Sequence, residues 1–127
     1  MLRDSDPRSK SRPLEDWFRG KPPATRAIFD HFVSEYKRVG DITVRPAKTM
    51  IVVTTPRKGI AYIVPKKEVI DVVFPFKEAY PDNLCFHKIA QVPIGPPQFN
   101  HHLRLVDKKD VNTEVRRFMK LAYDEGC

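Results

Sequence analysis

The sequence predicts an α+β domain: one antiparallel β-sheet with helices from the N- and C-terminal ends of the chain packed on one of its faces. Three observations predict it. Runs rich in β-branched and aromatic residues follow one another through the middle of the chain, from about residue 42 to 107. Apolar spacing of the helical kind is confined to the two flanks. The strand-like runs are joined by short turns or loops, without the long helical crossovers that parallel strands need, which argues against a doubly wound dinucleotide-binding sheet. The chain has 127 residues, enough for one domain. At that size folding buries roughly two thirds of the accessible surface, so no disulfide or metal is required to hold it.

The elements follow in order. Residues 1–12 are polar and aperiodic, which predicts a flexible basic N-terminal tail. The domain proper is expected over residues 13–125. Pro13-Leu14-Glu15-Asp16-Trp17-Phe18-Arg19 reads as a short helix, with Pro13 in its first turn and Gly20 after its end. A second helix is expected from about Ala24 to Val39. There Ile28, Phe29, Phe32, Val33 and Tyr36 share a face, and Gly40 ends it. Strands are expected near 42–45, 49–55, 60–65, 69–76, 84–92 and 101–107. Pro56-Arg57-Lys58-Gly59 reads as a hairpin turn in which Gly59 supplies a positive φ. Pro46 cannot donate to a ladder and so marks an edge or a bulge. Tyr80-Pro81-Asp82-Asn83 is a turn, and Pro93-Ile94-Gly95-Pro96-Pro97 is a stiff loop. A last helix is expected over about 111–125, capped by Asp110 or Asn112. The expected core includes Phe29, Phe32, Ile51, Val53, Ile63, Val72, Phe118 and Ala122.

Charge is unevenly distributed. Between Asp41 and Glu68 there is no acidic residue, yet Arg45, Lys48, Arg57, Lys58, Lys66 and Lys67 all lie there, supplying +6 against a formal net charge of +7. A local excess steers an anion better than a diffuse one. If residues 55 and 60 pair across the turn, Lys48 lies opposite Lys67 and Thr49 opposite Lys66, with Arg45 nearby. Arg57 and Lys58 then form a secondary basic patch at the far tip, roughly 23 Å away. The functional reading is a phosphate- or carboxylate-binding surface built from Arg45, Lys48, Tyr62, Lys66 and Lys67. The plain alternative is that lysines flank a sheet edge to keep it soluble and unpaired.

Other chemistries find less support. Cys85, His87, His101 and His102 invite a zinc site. However, if residue 92 pairs with 101, His87 falls opposite Val106, roughly 16 Å along the strand from His101. Zinc needs all its donors within ~2.0–2.3 Å of one point. A packed Cys85 and unliganded surface histidines are therefore expected, with no metal. Pro81-Asp82 and Asp107-Lys108-Lys109 match a loose nuclease pattern, but in a turn and at a strand end, without the neighbouring strands that such a magnesium site requires. The glycines are scattered and form no phosphate loop, and no serine sits at a strand-to-helix elbow. No cofactor is expected, and an enzyme is the least favoured class. Trp17 and Phe18 could stack on a base, but at helical spacing with Leu14 they are expected to clamp the first helix to the core. The two cysteines make no disulfide framework, which favours a reducing cytoplasm. The N-terminal stretch lacks the apolar core of a secretory signal. No apolar run approaches the ~20 residues that span a bilayer, so no membrane partner is expected.

The order of the pieces carries a resemblance. A W-F-x-G-K-P element (Trp17–Pro22) precedes a helix. Then come K-T-M-I-V-V from Lys48, a turn, I-A-Y-I-V-P-K from Ile60, an apolar strand, two further strands and a helix ending L-A-Y-D-E at Glu125. Over about residues 13–125 this resembles small bacterial domains of unknown function grouped with YdhG-like proteins and labelled elsewhere "predicted transport protein". The resemblance implies a compact α+β fold, sometimes appended to restriction or other DNA-acting proteins, and brings no established catalytic residues. The lysine of its K-T pair would be Lys48, and its aromatic before the proline that follows the turn would be Tyr62. The expectation is a non-catalytic module that binds an anionic partner, DNA or RNA among the candidates, through the basic hairpin. The alternatives are a small-ligand pocket between sheet and helices, with Lys48, Tyr62 and Lys66 as polar groups, and a structural or oligomerisation domain acting through sheet edges.

Overall fold

A computed structural model describes residues 13–126. The expected tail at 1–12 and Cys127 lie outside the described residues.

The chain opens with a 3₁₀ turn, Leu14–Phe18, followed by helix α1, Pro23–Val39. Two prolines lead into α1, where a missing N–H costs nothing because no partner exists there. The helix buries Ile28, Phe29, Phe32 and Tyr36 and ends as Gly40 N–H bonds back to the Tyr36 carbonyl. Six strands follow in sequence: β1 Thr43–Pro46, β2 Ile51–Thr54, β3 Gly59–Pro65, β4 Ile70–Phe76, β5 Phe86–Gln91 and β6 Phe99–Leu105. A second 3₁₀ turn, Lys108–Asp110, leads to helix α2, Thr113–Glu125. Asn112 caps α2, its side-chain oxygen accepting from Val115 N–H at 2.9 Å. Asp110 instead closes a capping box with Asp107 one turn earlier.

The strands form one sheet in the order β1-β2-β3-β4-β6-β5, antiparallel at every step. Alternation sorts the side chains. Ile51, Val53, Ala61, Ile63, Ile70, Val72, Phe74, Phe76, Leu103 and Leu105 face the helices and are buried. With Phe29, Phe32, Phe118 and Ala122 they include every expected core residue. The fold is thus the α+β layer arrangement that the sequence predicts, with α1 and α2 on one face. The helices are joined directly: buried Tyr36 donates its hydroxyl to the Met119 carbonyl at 2.7 Å. Trp17 and Phe18 are also buried, Phe18 packing on Phe29 at 5.0 Å between ring centroids. They clamp the N-terminal turn to the core and are unavailable for base stacking.

Two local expectations are corrected. Gly59 has no positive φ; the glycines with one are Gly20 and Gly95. The turn is Thr55–Lys58, closed by Thr55 N–H to the Lys58 carbonyl at 2.9 Å. The Thr55 hydroxyl accepts from Arg57 N–H and Lys58 N–H, so a side chain does the work assigned to glycine. Gly59 opens β3, where its bareness makes room: a Cβ there would lie 2.9 Å from the Tyr62 hydroxyl and 3.0 Å from Val52. The second correction is to register. β2 starts at Ile51, opposite Ile63, so Lys48 and Lys67 are not cross-strand partners.

Candidate anion-binding surface

Lys48 lies in the turn from β1 to β2, closed by Ala47 N–H to the Met50 carbonyl at 2.8 Å. Lys66 and Lys67 lie in the turn from β3 to β4, closed by Lys66 N–H to the Val69 carbonyl at 2.8 Å. Because strands alternate in direction, both turns fall at the same end of the sheet, about 10 Å apart at two strand spacings. All three lysines are exposed. The Thr25 hydroxyl of α1 donates to the Lys67 carbonyl at 2.8 Å, which holds that turn against the helix. Glu68 shares the turn with Lys67 and trims the local positive charge. Arg57 and Lys58 sit at the opposite end, as the sequence suggested.

Arg45 and Tyr62 belong to a different surface. Both point to the face of the sheet opposite the helices, on either side of Val52, which is their cross-strand partner in turn. No described helix packs on this face. The candidate residues therefore divide into a rim of three lysines and an open-face pair. Lys48, Tyr62 and Lys66 do not converge on a pocket between sheet and helices, because Tyr62 lies on the other side of the sheet.

The histidines need a correction too. Strand β5 is bulged between Phe86 and Lys88, and Ile89 stands opposite His101, three residues away from the expected register. His87 therefore sits near His102, with ring centroids 6.1 Å apart. His101 is no surface residue but completely buried. Its Nε2 accepts from Tyr80 N–H at 3.1 Å, so Nδ1 carries the proton and donates to the Phe99 carbonyl at 2.8 Å. Burial lowers its pKa from the ordinary 6.5. Around it stand Phe76, Tyr80 and Phe86, an aromatic cluster capped by Phe118 of α2. His102 faces the open side, its pKa lowered by burial and by the neighbouring Lys88 and His87. Cys85 is half-buried, and burial with Glu114 beside it pushes its thiol up to about 12, so it is a poor nucleophile and a poor metal ligand. Among the described residues no three His, Cys, Asp or Glu side chains stand close enough to share a metal. The Asp107 carboxylate accepts from Lys109 N–H and is spent on capping its own turn.

Two grooves escaped the sequence reading because distant segments build them. One, of about 860 Å³, runs along α2 between Tyr80, Asn83, Phe118 and Leu121, with Arg117 and Lys120 at its edge. The other, of about 550 Å³, lies between α1 and the start of α2 and collects His31, Arg38, Lys108, Lys109 and Arg116. Glu35 partly neutralises it, lying 3.4 Å from Arg38 and 3.5 Å from Arg116.

Residues 14–126 match the model of a family described as a domain of unknown function, DUF5655. The match covers nearly the whole chain, and the chain belongs to that family. No curated protein and no solved structure matches it. No helix among the described residues is long and apolar enough to cross a membrane.

Proposed function

We propose that this chain, as a member of that family, is a non-catalytic binding module for an anionic partner, nucleic acid foremost, engaged through the basic end of the sheet. The observation that carries the reading is the placing of the exposed Lys48, Lys66 and Lys67 on two turns at one end of the sheet. These cations come from a stretch of 26 residues without an acid. Exposed lysines on turns can follow a flexible polyanion, and releasing counterions drives such binding. The finer likeness to YdhG-like bacterial proteins, with a cytoplasmic setting, belongs to the same proposal. It rests on the order of motifs from Trp17 to Glu125 and on the sparse cysteines.

The test compares two double variants with equal loss of charge, Lys48→Ala with Lys67→Ala at the basic end and Arg57→Ala with Lys58→Ala at the other. Affinity for duplex and single-stranded DNA is measured at two salt concentrations. The first variant should lose more affinity than the second and remain folded, since exposed substitutions usually shift stability by under ~0.5 kcal/mol. Equal losses would reduce the site to general charge attraction, and no binding by the unaltered protein at low salt would end the reading.

A second reading has one observation in its favour. The groove along α2 joins an apolar floor of Phe118 and Leu121 to charged edges, the make-up of a small-ligand site. Binding there would depend weakly on salt and be blocked by Leu121→Trp.

A further inference from the structure

One row of the open sheet face has a composition that the turns alone do not explain. Reading across the strands, the cross-strand partners are Arg45, Val52, Tyr62, Val73, His102 and Lys88. The row crosses the whole sheet, about 24 Å at ~4.8 Å per strand. Cations stand at its two ends, and two rings stand between them with small apolar residues alongside. Val52 is only 4% exposed although it faces away from the helices. The Tyr62 ring leans along β3 towards Gly59, where the missing Cβ gives its hydroxyl room. Among the described residues, Asp71 is the one acidic residue in the six strands. It is already paired, its carboxylate 2.9 Å from Arg104 Nε, so it does not oppose an incoming anion.

We propose that this face is a track for single-stranded nucleic acid, with phosphates held by Arg45 and Lys88 at the edges and bases stacked on Tyr62 and His102 between them. The inference rests on the anionic-partner reading and names the partner. A duplex keeps its bases stacked inside and presents chiefly phosphates, so rings and valines in the middle of the row would gain nothing from it. An unpaired strand offers both a charged backbone and free base faces, which is what two rings flanked by a cation at each end can use. The end cations lie a full sheet width apart, so the strand would run across the β-strands and not along them.

The experiment titrates the full chain with oligothymidylate, a duplex of equal length and inorganic polyphosphate, the last having charge but no bases. Oligothymidylate should bind most tightly. Tyr62→Ala should weaken it at least about fivefold, the low end for loss of one stacked base, with an unchanged salt slope and little effect on polyphosphate. Tyr62→Phe, which keeps the ring, should bind like the unaltered protein. Arg45→Ala with Lys88→Ala should reduce the log–log salt slope by about 1.4, two phosphate contacts at ~0.7 each on a single strand. If Tyr62→Ala proves unfolded by circular dichroism, His102→Ala carries the stacking test in its place. Polyphosphate binding as tightly as oligothymidylate, with no response to loss of the ring, overturns the single-strand inference and leaves the anionic-partner reading standing. Failure to bind any of the three polyanions overturns both.

Discussion

His101 is fully buried on the face of the sheet that meets the helices. It sits next to His102, yet the two point to opposite faces, and only His101 is enclosed by Phe76, Tyr80 and Phe86. Its neutral form is held by two backbone partners, and burial depresses its pKa. The unfolded chain therefore takes up this proton first as pH falls. Stability from His101 is fully present above about 6.5, the ordinary imidazole value, and is lost as pH drops from there towards the lower folded value. Urea unfolding at pH 7.5 and 5.5 should show that loss. His101→Phe should shrink the pH difference, leaving the part owed to His102, whose pKa is shifted in the same direction. At pH 7.5 the variant should be less stable by about 1–3 kcal/mol, because Tyr80 N–H and the Phe99 carbonyl lose their partner. An unchanged pH difference would mean that His101 titrates normally.

Among the elements, the β2–β3 hairpin depends on Thr55. Its hydroxyl accepts from two turn amides and donates to the Gly126 carbonyl at 2.8 Å, tying the turn to the end of α2. The turn amides are near solvent and water can replace the hydroxyl there, but Gly126 is buried. Thr55→Val should cost about 1–3 kcal/mol, most of it from that carbonyl. Amide hydrogen exchange should quicken at Arg57, Lys58 and Gly126 and stay unchanged in β6. The anionic-partner reading does not need this turn, so DNA affinity should not change once the protein is folded. Thr55 is invisible as a functional residue in the sequence, because its partner lies 71 positions away.

For the whole molecule, the sheet edges decide whether copies of the chain pair strand to strand. β1 is four residues long and ends in Pro46, which has no N–H to offer. β5, at the other edge, is bulged and exposes Lys88. Short, proline-ended and bulged edges resist edge-to-edge addition. Sedimentation across a hundredfold concentration range should therefore give one species at the 14.7 kDa of a single chain. A mass rising with concentration would favour the oligomerisation reading over the binding module.

Short-range pattern alone carries the helices at either end, the six strands and their buried faces, and the crowding of cations between Asp41 and Glu68. Alternation with period two and spacing near 3.6 are properties of neighbouring residues, so Ile51, Val53 and Phe32 declared their burial without help. Long-range packing set which segments meet. It inserted β6 between β4 and β5, set their register three residues from the expected one, and so buried His101 and drew His87 towards His102. It separated Arg45 and Tyr62 from the three lysines, and aligned them with His102 and Lys88 across the sheet. Such choices depend on how aromatic side chains from β4, β5 and α2 pack together. Phe76, Phe86 and Phe118 are far apart along the chain, and no local pattern says which strand Phe86 will bring beside which.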